Sequence, residues 1–248
     1  MSRWLFDLGN SRLKCAPLHD DGRFGEVRAL AHGEAAFIET LHALLPVQAD
    51  VACLSSVASP ALTAAVRDAL LARFRVLSFA RTQPALAGVR IAYAEPEKFG
   101  VDRFLALLAA RARGRQAWLI AGVGTALTLD LLDADGLHHG GRIAPSPRLM
   151  REALHRAAAQ LPASGGEYVE FATDTADASA SGCDGAALAL IERSLHQARE
   201  RLGNTPTLLL HGGGSDDLRA LLPQATFAPS LVLEGLAAWT RAGHAGTT

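Results

Sequence analysis

The segment around Asp7 combines the side chains that a nucleotide phosphate requires. Asp7 ends an apolar run, and its carboxylate suits Mg²⁺ held directly or through water. Gly9 lets the backbone approach a ligand closely, and the residues from Asn10 to Lys14 add donors and a positive charge. The same residue types also occur in an ordinary tight β-turn, so this segment alone leaves both interpretations open.

A second glycine-containing segment, from Gly122 to Asp130, places threonine hydroxyls beside glycines. Its alternative interpretation is a core strand kinked by glycine. Because one such segment opens each half of the chain, we expect the two loops to clamp a polyphosphate. The sequence contains no Gly-x-x-x-x-Gly-Lys-Ser/Thr motif, no Gly-x-Ser-x-Gly elbow and no protein-kinase motif set, which excludes those enzyme classes.

Asp102 and Arg103 follow Gly100 at the start of a predicted helix. A carboxylate there is suited to act as a general base, and the neighbouring guanidinium to grip an anionic substrate. An aspartate in the first turn also has a purely structural explanation, because it complements the helix dipole. The glycine run 212–214 leaves a similar choice between a nucleotide contact and a plain strand-to-helix turn.

Composition narrows the class of protein. The 248 residues carry 24 Lys+Arg against 25 Asp+Glu, a net charge of -1, which argues against a nucleic-acid-binding protein. No apolar run approaches the roughly 20 residues that span a bilayer, and the first residues are too polar for a signal peptide. We therefore expect a cytoplasmic protein without a membrane partner. Cys15, Cys53 and Cys183 lie too far apart for a zinc site, so we expect reduced thiols.

Repeated patterns indicate an α/β protein with two related halves. Each half opens with two apolar runs joined through a glycine, and the second run ends at an Asp-Gly turn, 21–22 or 135–136. These runs predict one β-hairpin at the start of each half. We place an N-terminal domain at residues 1–115 and a C-terminal domain at residues 116–248.

Hydrophobic periodicity predicts the remaining elements. The predicted helices are 34–45, 62–74, 102–113, 149–161, 186–202 and 231–239, and the predicted strands are 51–57, 75–79 and 207–210. Alternation of short apolar strands with helices is typical of α/β folds. We expect His138 and His139 to be solvated in a glycine-rich turn.

Four motifs occur in the order and spacing of a known family. They are Asp7-x-Gly-Asn-Ser-x-x-Lys14, Gly100-Val-Asp-Arg103, Gly124-Thr-Ala-x-Thr128 and Gly140-Gly-x-Ile-x-Pro145. On these motifs the chain resembles the type III pantothenate kinases, a family also known as Bvg accessory factors. The resemblance covers nearly the whole chain. It implies two ribonuclease-H-like domains of the actin-like ATPase superfamily, with a nucleotide cleft between the domains.

The resemblance implies a phosphotransferase that uses ATP and Mg²⁺ to convert pantothenate to 4'-phosphopantothenate, the first step of coenzyme A biosynthesis, as a homodimer. Asp102 matches the catalytic base, and Asp7 would also orient Mg²⁺. The residues that match the phosphate motifs are Asp7, Leu8, Gly9, Asn10, Ser11, Arg12, Leu13, Lys14, Gly124 and Thr125. The residues that match substrate contacts are Tyr93, Gly100, Val101, Asp102, Arg103 and Thr175.

Two residues depart from the family pattern. Gly122 stands where the family usually has an aspartate that binds a monovalent cation, which leaves activation by K⁺ or NH₄⁺ open. Ser146 stands where a glycine usually follows Pro145, so we expect a differently built turn. The missing aspartate keeps a second function open, an ATP-binding regulatory homologue that acts as a transcriptional accessory factor with weak or no kinase activity. A kinase of the same fold with another small-molecule acceptor is a third hypothesis.

Overall fold

The first unit is built on a five-stranded sheet. In the computed structural model, which describes residues 1–244, this unit comprises Met1–Gly114 and the described residues from Ser230 onward. Its strands are β1 Arg3–Leu8, β2 Arg12–Leu18, β3 Arg28–Ala31, β4 Ala49–Ser56 and β5 Phe74–Phe79, followed by a short hairpin of β6 Ala85–Leu86 and β7 Val89–Arg90. Its helices are α1 Phe37–Leu44, α2 Pro60–Leu71, α3 Val101–Arg113 and α7 Leu231–Trp239, with a 3₁₀ turn at Pro96–Lys98 and a π turn at Thr240–His244.

The second unit, Arg115–Pro229, is contiguous in sequence. Its strands are β8 Trp118–Val123, β9 Ala126–Leu132, β10 His138–Pro145, β11 Thr207–His211 and β12 Thr226–Phe227. Its helices are α4 Pro147–Ala157, α5 Thr175–Leu202 and α6 Ser215–Arg219.

Both units have the same sheet topology. The strand orders are β3-β2-β1-β4-β5 and β10-β9-β8-β11-β12. In each sheet the first three strands of the unit form an antiparallel meander, and two further strands add in parallel. Parallel neighbours need a crossover connection, which the intervening helices supply. The prediction of an α/β protein whose halves each open on a hairpin is confirmed.

The core of the first unit forms because its strands bury their apolar side chains against α1 and α2. Phe6, Leu8 and Leu13 are fully buried there with Leu41 and Leu70 from the two helices. Burial of each such side chain contributes about 1.5–3 kcal/mol. The hairpin that carries the first polar segment is therefore anchored at its base.

Helix α7 belongs to the first unit, although the sequence places residues 231–239 in the C-terminal domain. It packs against α3, and a Cβ at Gly235 would lie only 1.9 Å from the carbonyl oxygen of Leu105. Arg113 and Glu234 add a bidentate ion pair with two contacts of 2.7 Å. The chain therefore returns to its first unit after completing the second. No local sequence pattern predicts this return.

The histidine pair lies on β10, and the prediction that it is solvated is wrong. His138 is buried with its Nε2 3.0 Å from Asp130 Oδ1. His139 is partly buried, with its Nε2 2.7 Å from Asp133 Oδ2 and with Nδ1 accepting from Arg201. Strand β10 continues through the glycines that suggested a turn, and its pairing with β9 shifts in register between His138 and Gly141.

The three cysteines are buried free thiols, as expected. None of the helices within residues 1–244 is long and apolar enough to cross a bilayer.

Candidate active site

The turn between β1 and β2 presents polar side chains on a fixed backbone. The N–H of Gly9 donates to the carbonyl oxygen of Arg12 over 3.0 Å, which closes the turn. His32 approaches from beyond β3, with its Nε2 3.0 Å from the carbonyl oxygen of Gly9. Asn10 and Ser11 are exposed at the tip. The turn is therefore held from two sides while its hydroxyl and amide remain accessible.

Not every residue of the phosphate segment faces solvent. The side chains of Leu8 and Leu13 are fully buried in the core of the first unit. Only their backbone atoms are therefore suited to contact a ligand. Arg12 is exposed, and Lys14 is partly buried.

Asp7 lies at the centre of a polar cluster set by strand register. It pairs with Lys14 on β2 and with Ser55 on β4, and laterally paired residues project from the same face of a sheet. The Ser55 hydroxyl donates to Asp7 Oδ1 over 3.0 Å. Burial raises the pKa of Asp7 from 3.8 to about 6 against the lowering effect of the Ser55 hydrogen bond, while the charge of Asp102 raises it further and that of Lys14 lowers it.

Helix α3 begins at the second polar motif. The carbonyl oxygen of Gly100 accepts the N–H of Phe104 over 3.0 Å and so starts the helix. The partly exposed Asp102 carboxylate turns back, and its Oδ1 accepts the N–H of Arg103 over 2.9 Å. A Cβ at residue 100 would lie 2.7 Å from that same oxygen. Glycine at position 100 is therefore what leaves space for the carboxylate.

Arg103 is held as a planar cation against two aromatic rings. Its guanidinium carbon lies 4.5 Å from the centroid of Phe99 and 5.9 Å from that of Tyr93. The guanidinium donates to the Tyr93 hydroxyl over 3.4 Å. Thr82 donates over 2.7 Å to the carbonyl oxygen of Phe99 and fixes the loop that carries the ring. Stacking of this kind contributes about 0.5–2 kcal/mol and orients the guanidinium.

In the second unit, Gly124 and Thr125 form the turn between β8 and β9. The N–H of Gly124 donates to the carbonyl oxygen of Ala126 over 2.9 Å, and Thr125 is exposed. The Ser146 hydroxyl donates to the carbonyl oxygen of Thr125 over 3.0 Å and accepts the N–H of Leu149 over 3.3 Å. Ser146 therefore caps the N-terminus of α4 and connects the start of this helix to the Gly124–Thr125 turn. The segment after Pro145 is thus held by a side-chain hydrogen bond that a glycine could not make.

Gly122 has no space for the carboxylate that the family resemblance associates with a monovalent cation. It pairs in register with Thr128 on β9 and with His211 on β11. A Cβ at residue 122 would lie 2.7 Å from Thr128 Oγ1 and 2.8 Å from His211 Nε2. Contacts below 3 Å at a Cβ require a neighbour to move. The residues present do not fit a cation held through a side chain at this position.

The glycine run after β11 is needed for packing. Gly212 has a φ of +100°, and a Cβ there would lie 2.3 Å from the carbonyl oxygen of Val123. The N–H of Gly214 donates to that oxygen over 2.9 Å. This close approach accounts for both glycines and fixes the end of β11 beside the end of β8.

The predicted substrate and phosphate residues divide between the two units. The first unit brings Lys14 and Asp102 within electrostatic reach of Asp7. Thr125 belongs to the second unit, as does Thr175, which is exposed as the first residue of α5 after its capping Asp174.

Three residues that support these loops were not identified from the sequence. Two of them, Ser55 and His211, occupy register positions beside Asp7 and Gly122. A signal for Ser55 was available, because it lies in the predicted strand 51–57 and parallel pairing with the first strand would bring it to Asp7. The third is His32, whose contact depends on loop geometry. The contact of Ser146, which the sequence identified only as a departure from the family pattern, depends on loop geometry as well.

Solved structures show which class of protein the fold defines. A conserved Baf family protein from Campylobacter jejuni aligns over 94% of both chains with a TM-score of 0.62 and 17% identity. Ta0583, an archaeal actin homolog, aligns over 97% of this chain and 99% of its own with a TM-score of 0.51 and 10% identity. At these identities the likeness concerns the fold alone. The fold is that of the actin-like ATPases.

Sequence comparison gives the family within that class. Residues 4–197 match the family model of type III pantothenate kinase. The type III pantothenate kinase of Stenotrophomonas maltophilia (strain K279a) is 62% identical over 96% of this chain and 97% of its own. That of Xanthomonas axonopodis pv. citri (strain 306) is 60% identical over 98% of both chains. The chain belongs to the type III pantothenate kinase family.

Proposed function

We propose that this protein transfers the terminal phosphoryl group of ATP to the hydroxyl of pantothenate, giving 4'-phosphopantothenate and ADP. This reaction is the first step of coenzyme A biosynthesis and agrees with the cytoplasmic location expected from the sequence. The observation that carries the proposal is 62% identity over 96% of the chain with a type III pantothenate kinase. The cluster of Asp7, Lys14 and Asp102 supplies chemistry of the required kind.

Asp102 is the residue we assign as the general base. Its carboxylate is partly exposed and is held at the start of α3 by the N–H of Arg103. In phosphoryl transfer the base accepts the proton of the attacking hydroxyl, and a positioned base commonly accelerates the reaction by about 10²–10⁴. The partial exposure of this carboxylate suits it to receive a substrate hydroxyl.

The polar turn of the first unit is assigned to phosphate binding. Asn10 and Ser11 offer exposed donors, and Lys14 offers a positive charge. Preorganised donors of this kind stabilise the charge that develops on the phosphate oxygens. In the second unit we assign the exposed Thr125 hydroxyl to the same chemistry.

Asp7 fits the role of the Mg²⁺ ligand. Its partly buried carboxyl faces the charge of Asp102, and a cation beside it would relieve that repulsion. Mg²⁺ in phosphate sites is usually held by one or two carboxylates plus phosphates, and Asp7 would supply one such carboxylate. When bound, Mg²⁺ supplies neutralisation of charge on the phosphate oxygens.

Substrate recognition is assigned to the aromatic cluster and its neighbours. The guanidinium of Arg103 is suited to pair with the pantothenate carboxylate, and Tyr93 orients it through the hydroxyl contact. Gly100 and Val101 bring the backbone close to the same position. Thr175 remains a predicted substrate contact at the start of α5.

A homodimer is part of the proposal, and the surface of the second unit supports it. Ile143, Leu154, Val169 and Phe171 are exposed apolar side chains, with Phe171 96% exposed. A largely apolar groove of about 720 Å³ lies between α4 and α5. Exposed apolar surface of this kind is typical of interfaces. Light scattering at micromolar concentration tests the dimer, and Phe171→Ser is expected to weaken it.

The regulatory alternative is not favoured by the close relatives, which are named kinases. One experiment separates the hypotheses. ADP release is measured with Mg-ATP alone, with pantothenate, and with pantothenate lacking the acceptor hydroxyl, and the product is identified by mass spectrometry. We expect release only with the intact acceptor. ATP binding without pantothenate-dependent release would favour the regulatory homologue, and turnover of a different acceptor would favour another kinase.

The assigned base is tested in the same assay. Asp102→Asn keeps the shape of the side chain and removes its basicity, so we expect kcat to fall by about 10²–10⁴. Glu97→Gln is the matched control, because this exposed carboxylate precedes the same motif. Full activity of folded Asp102→Asn would reject the assignment.

A further inference from the structure

Three side-chain positions meet at the base of the Gly124–Thr125 turn. Gly122, Thr128 and His211 are lateral neighbours on three adjacent strands, so they project from the same face of the sheet. The two flanking side chains lean over the glycine. The site of its missing Cβ is 2.7 Å from Thr128 Oγ1, 2.8 Å from His211 Nε2 and 3.1 Å from His211 Cε1.

The notch left by the glycine is therefore filled from both sides. Alkali cations in proteins are held by oxygen ligands such as carbonyl groups. Gly122 contributes no side-chain oxygen, and the nearest ring atoms belong to an imidazole, a ligand that suits transition metals. The atoms nearest to the missing Cβ are the Thr128 hydroxyl oxygen and the His211 imidazole, which leave no room for an added side-chain atom.

We propose that the Gly124–Thr125 turn works without a bound monovalent cation, and that His211 is a positioning residue that supports the turn in its place. The inference rests on the proposed function, because it concerns how ATP is bound. The end of β11 is well placed for this role. Gly212 and Gly214 pack on the carbonyl oxygen of Val123, the residue directly before the turn.

The first test compares ATP binding in different salts. Calorimetry with a non-hydrolysable ATP analogue is run in KCl, NH₄Cl, NaCl and choline chloride at one ionic strength. A cation linked to ATP binding would change the dissociation constant by about 5- to 150-fold, the usual range for coupled ligands. We expect the dissociation constant to be the same in all four salts. We also expect the steady-state rate to be the same in all four salts. Tightening of about fivefold or more by K⁺ or NH₄⁺ would overturn the inference.

The salt series also distinguishes this inference from the proposed function. Salt-independent ATP binding without pantothenate turnover would reject the kinase and leave the inference in place. Turnover that requires K⁺ would support the kinase and reject the inference. Failure to bind ATP in every salt would overturn both.

A second test examines His211 by substitution. His211→Ala opens the notch, so we expect the KM for ATP to rise while the KM for pantothenate stays unchanged. His211→Gln restores much of the lost volume and a polar end, and we expect it to recover ATP affinity. An unchanged KM for ATP in the folded alanine variant would contradict a positioning role.

The geometry itself is tested by Gly122→Asp. Forcing a side chain into the filled notch is expected to lower Tm by roughly 2–12 °C. Adding His211→Ala to that variant removes one of the two clashes and is expected to recover part of the loss. A Gly122→Asp protein as stable as the parent would show that the notch is open.

Discussion

The hydroxyl of Ser55 on β4 donates a hydrogen bond to Asp7 Oδ1 on the neighbouring strand β1 over 3.0 Å. This bond stabilises the ionised carboxylate, whereas burial and the charge of Asp102 oppose ionisation. Asp7 is thus kept near the boundary between its two protonation states around pH 6. A group so poised responds strongly to a cation or to a change of pH.

Asp7→Asn is expected to remove a pH dependence of folding stability. The folded-state pKa of Asp7 lies above the ordinary value, so the folded state binds the proton more tightly and stability falls as pH rises from about 4 to about 6. The shift from 3.8 to about 6 corresponds to as much as about 3 kcal/mol. The free energy of unfolding, measured by urea denaturation of the parent and of Asp7→Asn from pH 4 to 8, tests this expectation.

In Asp7→Asn, folding stability should no longer fall as pH rises from about 4 to about 6. The variant should also lose kinase activity. The exposed Asp20→Asn serves as its control and should keep the parental profile. Parallel profiles for the parent and Asp7→Asn would contradict the burial of an ionisable group at this position.

Gly100→Ala is expected to damage catalysis more than folding. The added Cβ would meet Asp102 Oδ1 at 2.7 Å, and the carboxylate is able to rotate away. Displacement of a catalytic group by about 1 Å costs about 100-fold in rate. We expect kcat/KM for pantothenate to fall by about that factor at nearly unchanged Tm. Gly33→Ala, where a Cβ meets nothing within 4 Å, is the control.

Arg103→Lys is expected to raise the KM for pantothenate by roughly 2- to 30-fold with a smaller effect on kcat. Lysine keeps the charge but loses the planar stack on Phe99 and the fork that contacts Tyr93. Steady-state kinetics with varied pantothenate at saturating ATP measure the change. The exposed Arg67→Lys should behave as the parent, and an unchanged KM in Arg103→Lys would remove Arg103 from substrate recognition.

Gly235→Ala is expected to destabilise the first unit by roughly 1–3 kcal/mol or more. Its Cβ would lie 1.9 Å from the Leu105 carbonyl oxygen, and this neighbour is backbone that cannot rotate away. Gly185→Ala is the matched control in another helix. Its Cβ would make an ordinary 3.8 Å contact with Tyr168, so helix propensity should give a gain of up to about 1 kcal/mol. Thermal unfolding of both variants decides the comparison.

Much of the fold follows from local sequence signals. The apolar runs and their turns predict the hairpins that the structure shows as Arg3–Leu8 with Arg12–Leu18 and Trp118–Val123 with Ala126–Leu132. The helix over 102–113 differs from the observed Val101–Arg113 by one residue. These elements carry strong periodicity and clear terminal residues, which act within a few positions along the chain.

The long helix α5 shows where local signals are insufficient. Its predicted start at residue 186 is wrong, because the helix begins at Thr175. Gly182 and Gly185 lower the helix propensity of the first turns, and the small residues there give no apolar period. The Asp174 cap was present in the sequence, and its side chain accepts two backbone N–H groups.

The supporting residues of the site depend on contacts between distant segments. Ser55 meets Asp7 and His211 meets Gly122 through parallel register, which a single sequence does not specify. Among the motif residues, Asn10, Ser11 and Thr125 are exposed, whereas the side chains of Leu8, Leu13 and Arg103 are buried. The roles of the motif residues stay predictions that rest on local chemistry, and the contacts that support them were not predictable from the sequence.

The return of α7 to the first unit has a consequence for synthesis on the ribosome. Domains generally fold in the order in which they emerge, with the N-terminal one first. Here α3 keeps an apolar face uncovered until residues 231–239 have left the exit tunnel, whereas Arg115–Pro229 is complete before then. The unit translated second is thus the first able to finish folding, and the unit that carries Asp7 and Asp102 completes its core only after residues 231–239 have emerged.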